Sequence, residues 1–172
     1  MKSPTDHEVV LESLTIALLK LMKEKPFDEI SVTELSKKAG VGRVSFYRNY
    51  SSKQDILLNY LCQCTDTWWA EFIKKPAEEF YATFWQSLLA EYRKNGELLL
   101  LLEKNNVSYI IRDHISHCCG PREEDDDITA YTRSMLAGLI YGLIKEWVKR
   151  GMKDLPSMLN IHKMLEFAGA NI

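Results

Sequence analysis

Residues 39–53 read AGVGRVSFYRNYSSK, which places two arginines and two tyrosines directly after a Gly-Val-Gly turn. The pattern predicts a short helix with two chemically different faces. At about 100° per residue, Phe46 and Tyr50 lie in one row and face the protein, whereas Val44 and Arg48 lie nearly opposite and face outward. The two flanks of the helix hold the remaining polar side chains, with Arg43 and Tyr47 on one side and Ser45 and Asn49 on the other.

A second short helix precedes this one. Ser31-x-x-Glu34 has the spacing of a capping box, and Gly40 stands where a helix commonly ends in a left-handed conformation. Two short helices joined by Ala-Gly-Val-Gly predict a helix-turn-helix, in which the second helix can enter the major groove of DNA.

The outward residues suit that role chemically. Arg43 and Arg48 can each donate two bonds to guanine or to a phosphate, and Val44 can contact a thymine methyl group. Lys53, in the first turn of the next helix, adds positive charge beside free backbone amides. The flanking hydroxyl and amide side chains suit phosphate oxygens, which set position without reading sequence: Ser45, Tyr47 and Asn49.

Composition supports a local positive surface on an otherwise mildly acidic chain. The 172 residues carry a formal net charge of −2, yet residues 31–53 hold five basic residues and one acidic residue. A 46% share of hydrophobic residues is sufficient for a buried core. The polar N-terminus and the shortness of the apolar stretch at 135–144 predict a cytoplasmic protein without a membrane span. The four cysteines lack CxxC spacing, and no cofactor is predicted.

Helical periodicity recurs along the whole chain, so we predict an all-α fold of about nine helices. The leucine-rich stretch ELLLLLE at 97–103 is expected to be a turn, and 119–127 a loop. We place a helix-turn-helix DNA-binding domain at 1–52 and a helical effector-binding and dimerisation domain at 53–172. The expected helices run from Thr5 to Pro26, from Ser31 to Ala39, over about 43–50, from Ser52 to Phe72, from Pro76 to about 94, over about 106–118, over about 127–150, and from Pro156 to Gly169.

The run FDEISVTELSKKAGVGRVSFYRNYSSKQDILLNYL at 27–61 resembles the DNA-binding domain of the TetR (TetR/AcrR) family of transcriptional regulators. The resemblance rests on the Ser/Thr before the second helix, AGV at the turn, a small-Phe-Tyr-x-x-aromatic recognition helix, and Ser-Lys at the start of the fourth helix. It implies that Thr33 contacts phosphate. It also implies that the outer residues of the recognition helix and its neighbour contact bases or the DNA backbone, namely Arg43, Val44, Ser45, Tyr47, Arg48, Asn49 and Lys53.

TetR-like proteins are homodimers whose last two helices pack against those of the partner, and the long helix at 127–150 has a compatible feature. Small residues recur every four positions there, which gives a smooth ridge for a closely packed neighbour. That neighbour is either an internal helix or the partner subunit. The ridge consists of Ala130, Ser134, Gly138 and Gly142.

The resemblance also implies a pocket for a small-molecule effector in the second domain. Aromatic side chains are candidates for lining it, and ordinary core packing is the competing interpretation of each one: Trp68, Phe72, Phe84, Trp85, Tyr109 and Tyr131. A metal- or redox-sensing site that uses His114, His117 and Cys118 is an alternative, because these potential ligands crowd one helix end.

The leading hypothesis is a repressor that binds palindromic operator DNA as a homodimer and is released by an effector. The alternative is a TetR-like co-regulator that acts mainly through a protein partner, because YRKNGELLLLLEKNN and LIYGLIKEWVKRGM resemble regulators with divergent second domains. An enzyme is not expected. The sequence contains no nucleophile elbow, no phosphate-binding glycine loop and no HExxH motif.

Overall fold

A computed structural model describes residues 6–153, and within this range the chain is entirely helical. The predicted all-α fold is therefore confirmed. The cap at Thr5 and the last predicted helix, 156–169, lie outside the described residues. The described elements are α1 (Asp6–Glu24), a 3-10 turn (Phe27–Glu29), α2 (Val32–Ala39), α3 (Arg43–Asn49), α4 (Lys53–Phe72), α5 (Ala77–Lys94), α6 (Gly96–Lys104), α7 (Tyr109–Cys119) and α8 (Asp127–Lys149).

The ends of α2 and α4 follow from local sequence. Ser31 caps α2 by accepting a hydrogen bond from the amide of Glu34, and Gly40 ends the helix at a φ of 69°. The Glu34 carboxylate also binds Lys25 of the preceding segment. At α4, Ser52 and Asp55 form the full reciprocal box.

The first three helices share one small core. Phe46 of α3 is fully buried, and Tyr50 immediately after α3 is almost so. Their rings lie 6.2 Å apart, and both belong to the apolar core that includes Leu35 of α2 and Leu18 of α1. The predicted inward row of the recognition helix is therefore the row that packs.

The leucine-rich stretch 97–103 was wrongly predicted as a turn, since it forms α6. Leucine is a strong helix former, and Asn95-Gly96 separates α5 from α6 without ending the helical path. The run of five consecutive leucines conceals the helical period, because Leu100 on the exposed face, between Glu97 and Lys104, is as apolar as the buried face. Four of its five leucines are buried: Leu98, Leu99, Leu101 and Leu102.

The larger domain is a layered helical assembly. α7 packs against both α4 and α8, and α6 packs against α8. The end of α8 is set by Gly151, which adopts a φ of 73°, and by Trp147, whose indole donates a 2.8 Å hydrogen bond to the carbonyl of Lys153. None of the helices between residues 6 and 153 combines the length and apolar character needed to cross a membrane.

One side chain at the end of α6 joins the two parts of the molecule. The Asn105 carboxamide oxygen accepts a 2.9 Å bond from the amide of Phe27, and its amide nitrogen donates to the carbonyls of Met22 and Leu101. Met22 and Phe27 flank the turn between α1 and α2. Asn105 thus holds the helix-turn-helix against α6 through polar contacts between residues far apart in sequence.

Asn105→Ala is expected to lower the free energy of unfolding by about 2 kcal/mol, because it leaves two partly buried backbone groups without partners. Asn105→Asp should be at least as destabilising, since its carboxylate cannot donate to the two carbonyls. Asn95→Ala is the matched control, because the Asn95 amide bonds only to its own helix at Glu91. Urea unfolding followed by circular dichroism measures the free energy of unfolding of all three variants. A urea midpoint for Asn105→Ala equal to that of Asn95→Ala would contradict the stabilising role of Asn105.

Candidate functional site

The outer face of α3 is open to solvent. Val44 is 73% exposed and Tyr47 is 62% exposed, while Arg43 and Arg48 on the same surface are also exposed. With respect to residues 6–153, Arg48 makes no hydrogen bond or ion pair. The side chain that points most directly away from the core is thus free to contact a ligand such as DNA.

Two predicted contact residues are held by neighbours at the edge of this face. Arg43 reaches back to α2, where one guanidinium nitrogen lies 3.4 Å from the Thr33 hydroxyl. The Asn49 amide donates a 2.7 Å bond to the carbonyl of Ser45. Thr33, Arg43, Ser45 and Asn49 therefore belong to one continuous surface, which the two helices α2 and α3 form together.

Lys53 behaves differently from the other predicted residues. Its ammonium lies 2.7 Å from the carbonyl oxygen of Phe27 and 2.5 Å from that of Ile30, and it stands 4.4 Å from the centre of the Phe27 ring. Burial lowers the pKa of this amine. Lys53 thus closes the turn between α1 and α2 while contributing positive charge near the α3 face.

The larger domain contains a cavity of about 270 Å³ bounded by α4, α5, α7 and α8. Three of the aromatic candidates from the sequence line it: Trp68, Phe84 and Trp85. Phe72 lies behind them, with its ring stacked 5.3 Å from that of Trp68. Tyr109 is half-buried elsewhere in the core, and Tyr131 is 76% exposed on α8, so neither lines the cavity.

Sequence reasoning did not place four polar residues at this cavity. Thr65, His114, Cys118 and Cys119 all line it, and His114 is buried although it was considered only as a metal ligand. The spacing of His114 and Cys118, four apart on α7, puts them on one helix face. Only the packing of α7 against α4 turns that face toward the aromatic residues.

His114 sits in a network of uncharged partners. Its Nε2 lies 3.3 Å from the Thr65 hydroxyl, and its Nδ1 lies 3.5 Å from the Cys62 sulfur and 3.7 Å from the Cys118 sulfur. Burial lowers the pKa of His114 to about 4 and raises the pKa of the Cys118 thiol to about 12. At neutral pH the imidazole is therefore neutral and the thiols are protonated.

These protonation states bear on the metal-sensing alternative. Thiolates, not thiols, are the usual metal ligands and nucleophiles. Across the part of the chain that the structure describes, no group of three or more His, Cys, Asp or Glu side chains is arranged to hold a metal ion. His117 is exposed and lies away from the cavity lining.

The outer face of α8 presents a second distinct surface. Ser134, Gly138 and Gly142 are exposed, and Ala130 is partly so. A Cβ atom added to Gly138 or Gly142 would meet no described atom within 4 Å. Within residues 6–153, no internal helix packs on the ridge of small residues that the sequence identified.

The arrangement of α2 and α3 is that of a helix-turn-helix, and sequence comparison agrees. Residues 15–60, which include α2 and α3, match the family model described as bacterial regulatory proteins, tetR family. This N-terminal segment is therefore a DNA-binding domain of the tetR family type.

The whole fold also has a relative of known structure. The crystal structure of Lin0861 from Listeria innocua is similar to this chain with a TM-score of 0.70 and 18% sequence identity, and the match covers 100% of this chain and 96% of that one. At this identity the similarity shows a shared fold and no more. A search of curated protein sequences finds no match.

Burial of neutral His114 makes stability dependent on pH. Because its pKa is lower in the folded protein than in the unfolded chain, its contribution is complete above about pH 6.5 and is lost as pH falls toward 4. The slope from this group approaches about 1.4 kcal/mol per pH unit. We expect His114→Gln to flatten the dependence of the free energy of unfolding between pH 6.5 and 4.5.

Denaturant unfolding at several pH values measures this slope. His117→Gln, on the exposed side of the same helix, is the control and should keep most of the wild-type dependence. Equal slopes for wild type and His114→Gln would show that the folded state accommodates a charged His114.

Proposed function

We propose that this regulator is a transcriptional repressor that binds palindromic operator DNA as a homodimer and is released when a small molecule occupies the cavity of the larger domain. The observation that carries the DNA-binding part is the outer face of α3. It presents exposed Val44 and Arg48, with Arg43 at the adjoining flank, on a helix whose opposite side is anchored by buried Phe46. A rigidly held helix with arginines on its free side suits the major groove.

The same surface explains the expected division of contacts. Arg48, which has no partner among the described residues, is proposed to read a base edge, and Val44 to contact a thymine methyl. Arg43 is proposed to contact a base or a phosphate. Residues at the flanks and on neighbouring helices are proposed to contact the backbone: Thr33, Ser45, Tyr47, Asn49 and Lys53.

The proposed homodimer rests on the outer face of α8. Ile128, Tyr131 and Met135 are all more than two-thirds exposed and lie on the same side of the helix as Gly138 and Gly142. Apolar side chains beside glycines without neighbours form a surface that a second copy can approach closely. A twofold-symmetric pair would present two copies of α3, as a palindromic operator requires.

The proposed effector response rests on α4, which packs against both α1 and α7. Its first turn contains Lys53, which holds the turn between α1 and α2, and Thr65, Trp68 and Trp69 farther along line the cavity. The span from residue 53 to residue 68 is about 22 Å of continuous helix. A ligand that shifts α4 at the cavity would therefore shift the support of α3, and would favour one of two arrangements by its differential affinity.

Arg43→Ala/Arg48→Ala is expected to weaken binding to a selected operator by at least about 30-fold, because each arginine is expected to contribute about 1–3 kcal/mol. Selection of random DNA fragments by the wild-type protein supplies the operator, and fluorescence anisotropy at several salt concentrations measures affinity. The slope of log affinity against log salt should fall by about 0.9 for each phosphate that the variant no longer neutralises.

Arg112→Ala/Arg122→Ala is the matched control, since it removes the same charge from exposed positions of the larger domain. It should retain affinity within a few-fold. Enrichment of the same DNA motif by Arg43→Ala/Arg48→Ala would contradict the recognition-helix assignment. Absence of any motif at low salt would favour the co-regulator that acts through a protein partner.

The Gly138→Ala/Gly142→Ala variant shows whether the ridge is buried in a dimer or exposed to solvent, because the change is expected to weaken a dimer but to stabilise an isolated subunit. In an isolated subunit both changes should stabilise α8, by up to about 1 kcal/mol each, because neither new methyl group meets a described atom. In a closely packed dimer the same methyl groups separate the helices, and we expect the dimer dissociation constant to rise at least tenfold. Sedimentation equilibrium measures this constant. Unchanged association with raised thermal stability would place the glycines in solvent and remove this interface.

A further inference from the structure

We propose that the cavity binds an uncharged, two-ring aromatic molecule that carries one hydrogen-bond donor, such as a phenolic hydroxyl, directed at Nδ1 of His114. Binding itself follows from the cavity alone. The regulatory consequence, release of operator DNA, rests on the proposed function.

Size sets the first limit on the ligand. The cavity of about 270 Å³ is nearly twice the volume of about 150 Å³ that accommodates a benzene molecule in an engineered protein cavity. Fused or linked pairs of aromatic rings fall in this range. Indole side chains of Trp68, Trp69 and Trp85 at the lining favour flat ligands, because aromatic rings gain from offset or edge contacts.

Charge sets the second limit. Among the described residues that line the cavity there is no Asp, Glu, Lys or Arg. A carboxylate, phosphate or ammonium group would lose its hydration there without gaining an ionic partner, which is strongly unfavourable. The low pKa of His114, caused by burial, means that the imidazole does not supply a positive charge at neutral pH.

The hydrogen bonds around His114 indicate whether the ligand should donate or accept a hydrogen bond there. The Thr65 hydroxyl lies 3.2 Å from the carbonyl oxygen of Leu61 and 3.3 Å from that of Cys62, so it donates its hydrogen to the backbone. We infer that it accepts from His114 Nε2, which places the imidazole proton on that nitrogen. Nδ1 is left as an acceptor.

The present partners of this acceptor are weak ones. Nδ1 faces only the thiols of Cys62 and Cys118, at 3.5 and 3.7 Å, and thiols are poor donors. His114 and Cys118 both line the cavity, so a ligand hydroxyl can replace a thiol at this nitrogen. The gain from exchanging a thiol donor for a hydroxyl donor selects ligands that carry an O–H or N–H group.

Three naphthalene derivatives of similar shape test the proposal with the full-length protein and no DNA. 2-Naphthol is neutral and donates, 2-methoxynaphthalene is neutral and cannot donate, and 2-naphthoate is an anion. Isothermal titration calorimetry at pH 7.5 gives the three dissociation constants, and quenching of tryptophan fluorescence gives an independent measure. We expect 2-naphthol to bind at least tenfold more tightly than the methyl ether and at least 100-fold more tightly than the carboxylate.

A variant pair assigns the preference to His114. His114→Phe removes the acceptor and should bring 2-naphthol and its methyl ether within threefold of each other, while His117→Gln, on the exposed side of α7, keeps the wild-type ratio. The ligand series on the wild-type protein decides the chemical class even where His114→Phe does not fold. In that case His114→Leu, which also carries no acceptor, serves as the second variant. Equal or tighter binding of 2-naphthoate, or a naphthol-to-ether ratio unchanged by loss of His114, would overturn the proposal.

A second experiment distinguishes failure of this inference from failure of the proposed function. Operator affinity is measured with and without saturating 2-naphthol. Tight 2-naphthol binding that leaves DNA affinity unchanged supports the ligand class and contradicts release by an effector. Absence of naphthol binding, in a protein that still selects an operator, overturns the ligand class and leaves the DNA-binding assignment intact.

Discussion

A helix of seven residues is too short to be stable alone in water, so α3 keeps its place only through the burial of Phe46. That ring lies in the core which α1 and α2 complete, and Tyr50 extends the same contact just beyond the helix. Because this row of α3 faces the core, the helical period places Val44 and Arg48 on the opposite, solvent-facing side. The candidate recognition surface is thus a consequence of core packing on its reverse side.

Side chains from α4 and from α6 both bind the turn between α1 and α2. Lys53 of α4 binds the carbonyls of Phe27 and Ile30, and Asn105 of α6 binds Met22 and the amide of Phe27. These contacts add hydrogen bonds to the backbone groups of the turn. The helix-turn-helix is therefore attached to α4 and α6 by specific hydrogen bonds as well as by apolar packing.

The two candidate binding surfaces are chemically opposite. The α3 face carries exposed arginines and lies in water, where phosphate groups of DNA can replace counterions. The cavity in the larger domain is lined by aromatic rings and by His114, Thr65 and Cys118, where a charged group would lose hydration without an ionic partner among the described lining residues. The two proposed ligands, a polyanion and a neutral small molecule, would therefore not compete for one surface.

Local signals were enough for the helix-turn-helix, because caps such as Ser52 with Asp55, the left-handed Gly40 and the two faces of α3 depend on residues within one or two turns. The helix α6 was missed, since its five consecutive leucines occupy both the buried and the exposed face and conceal the helical period. The sequence singled out His114 as a potential metal ligand but did not place it at a cavity. It also did not predict that Lys53 donates hydrogen bonds to backbone carbonyls. Those outcomes were decided by tertiary structure. The contacts between α7 and α4, and those between Lys53 and the preceding turn, join residues more than twenty positions apart. No periodic sequence pattern indicates which residues meet at such a separation.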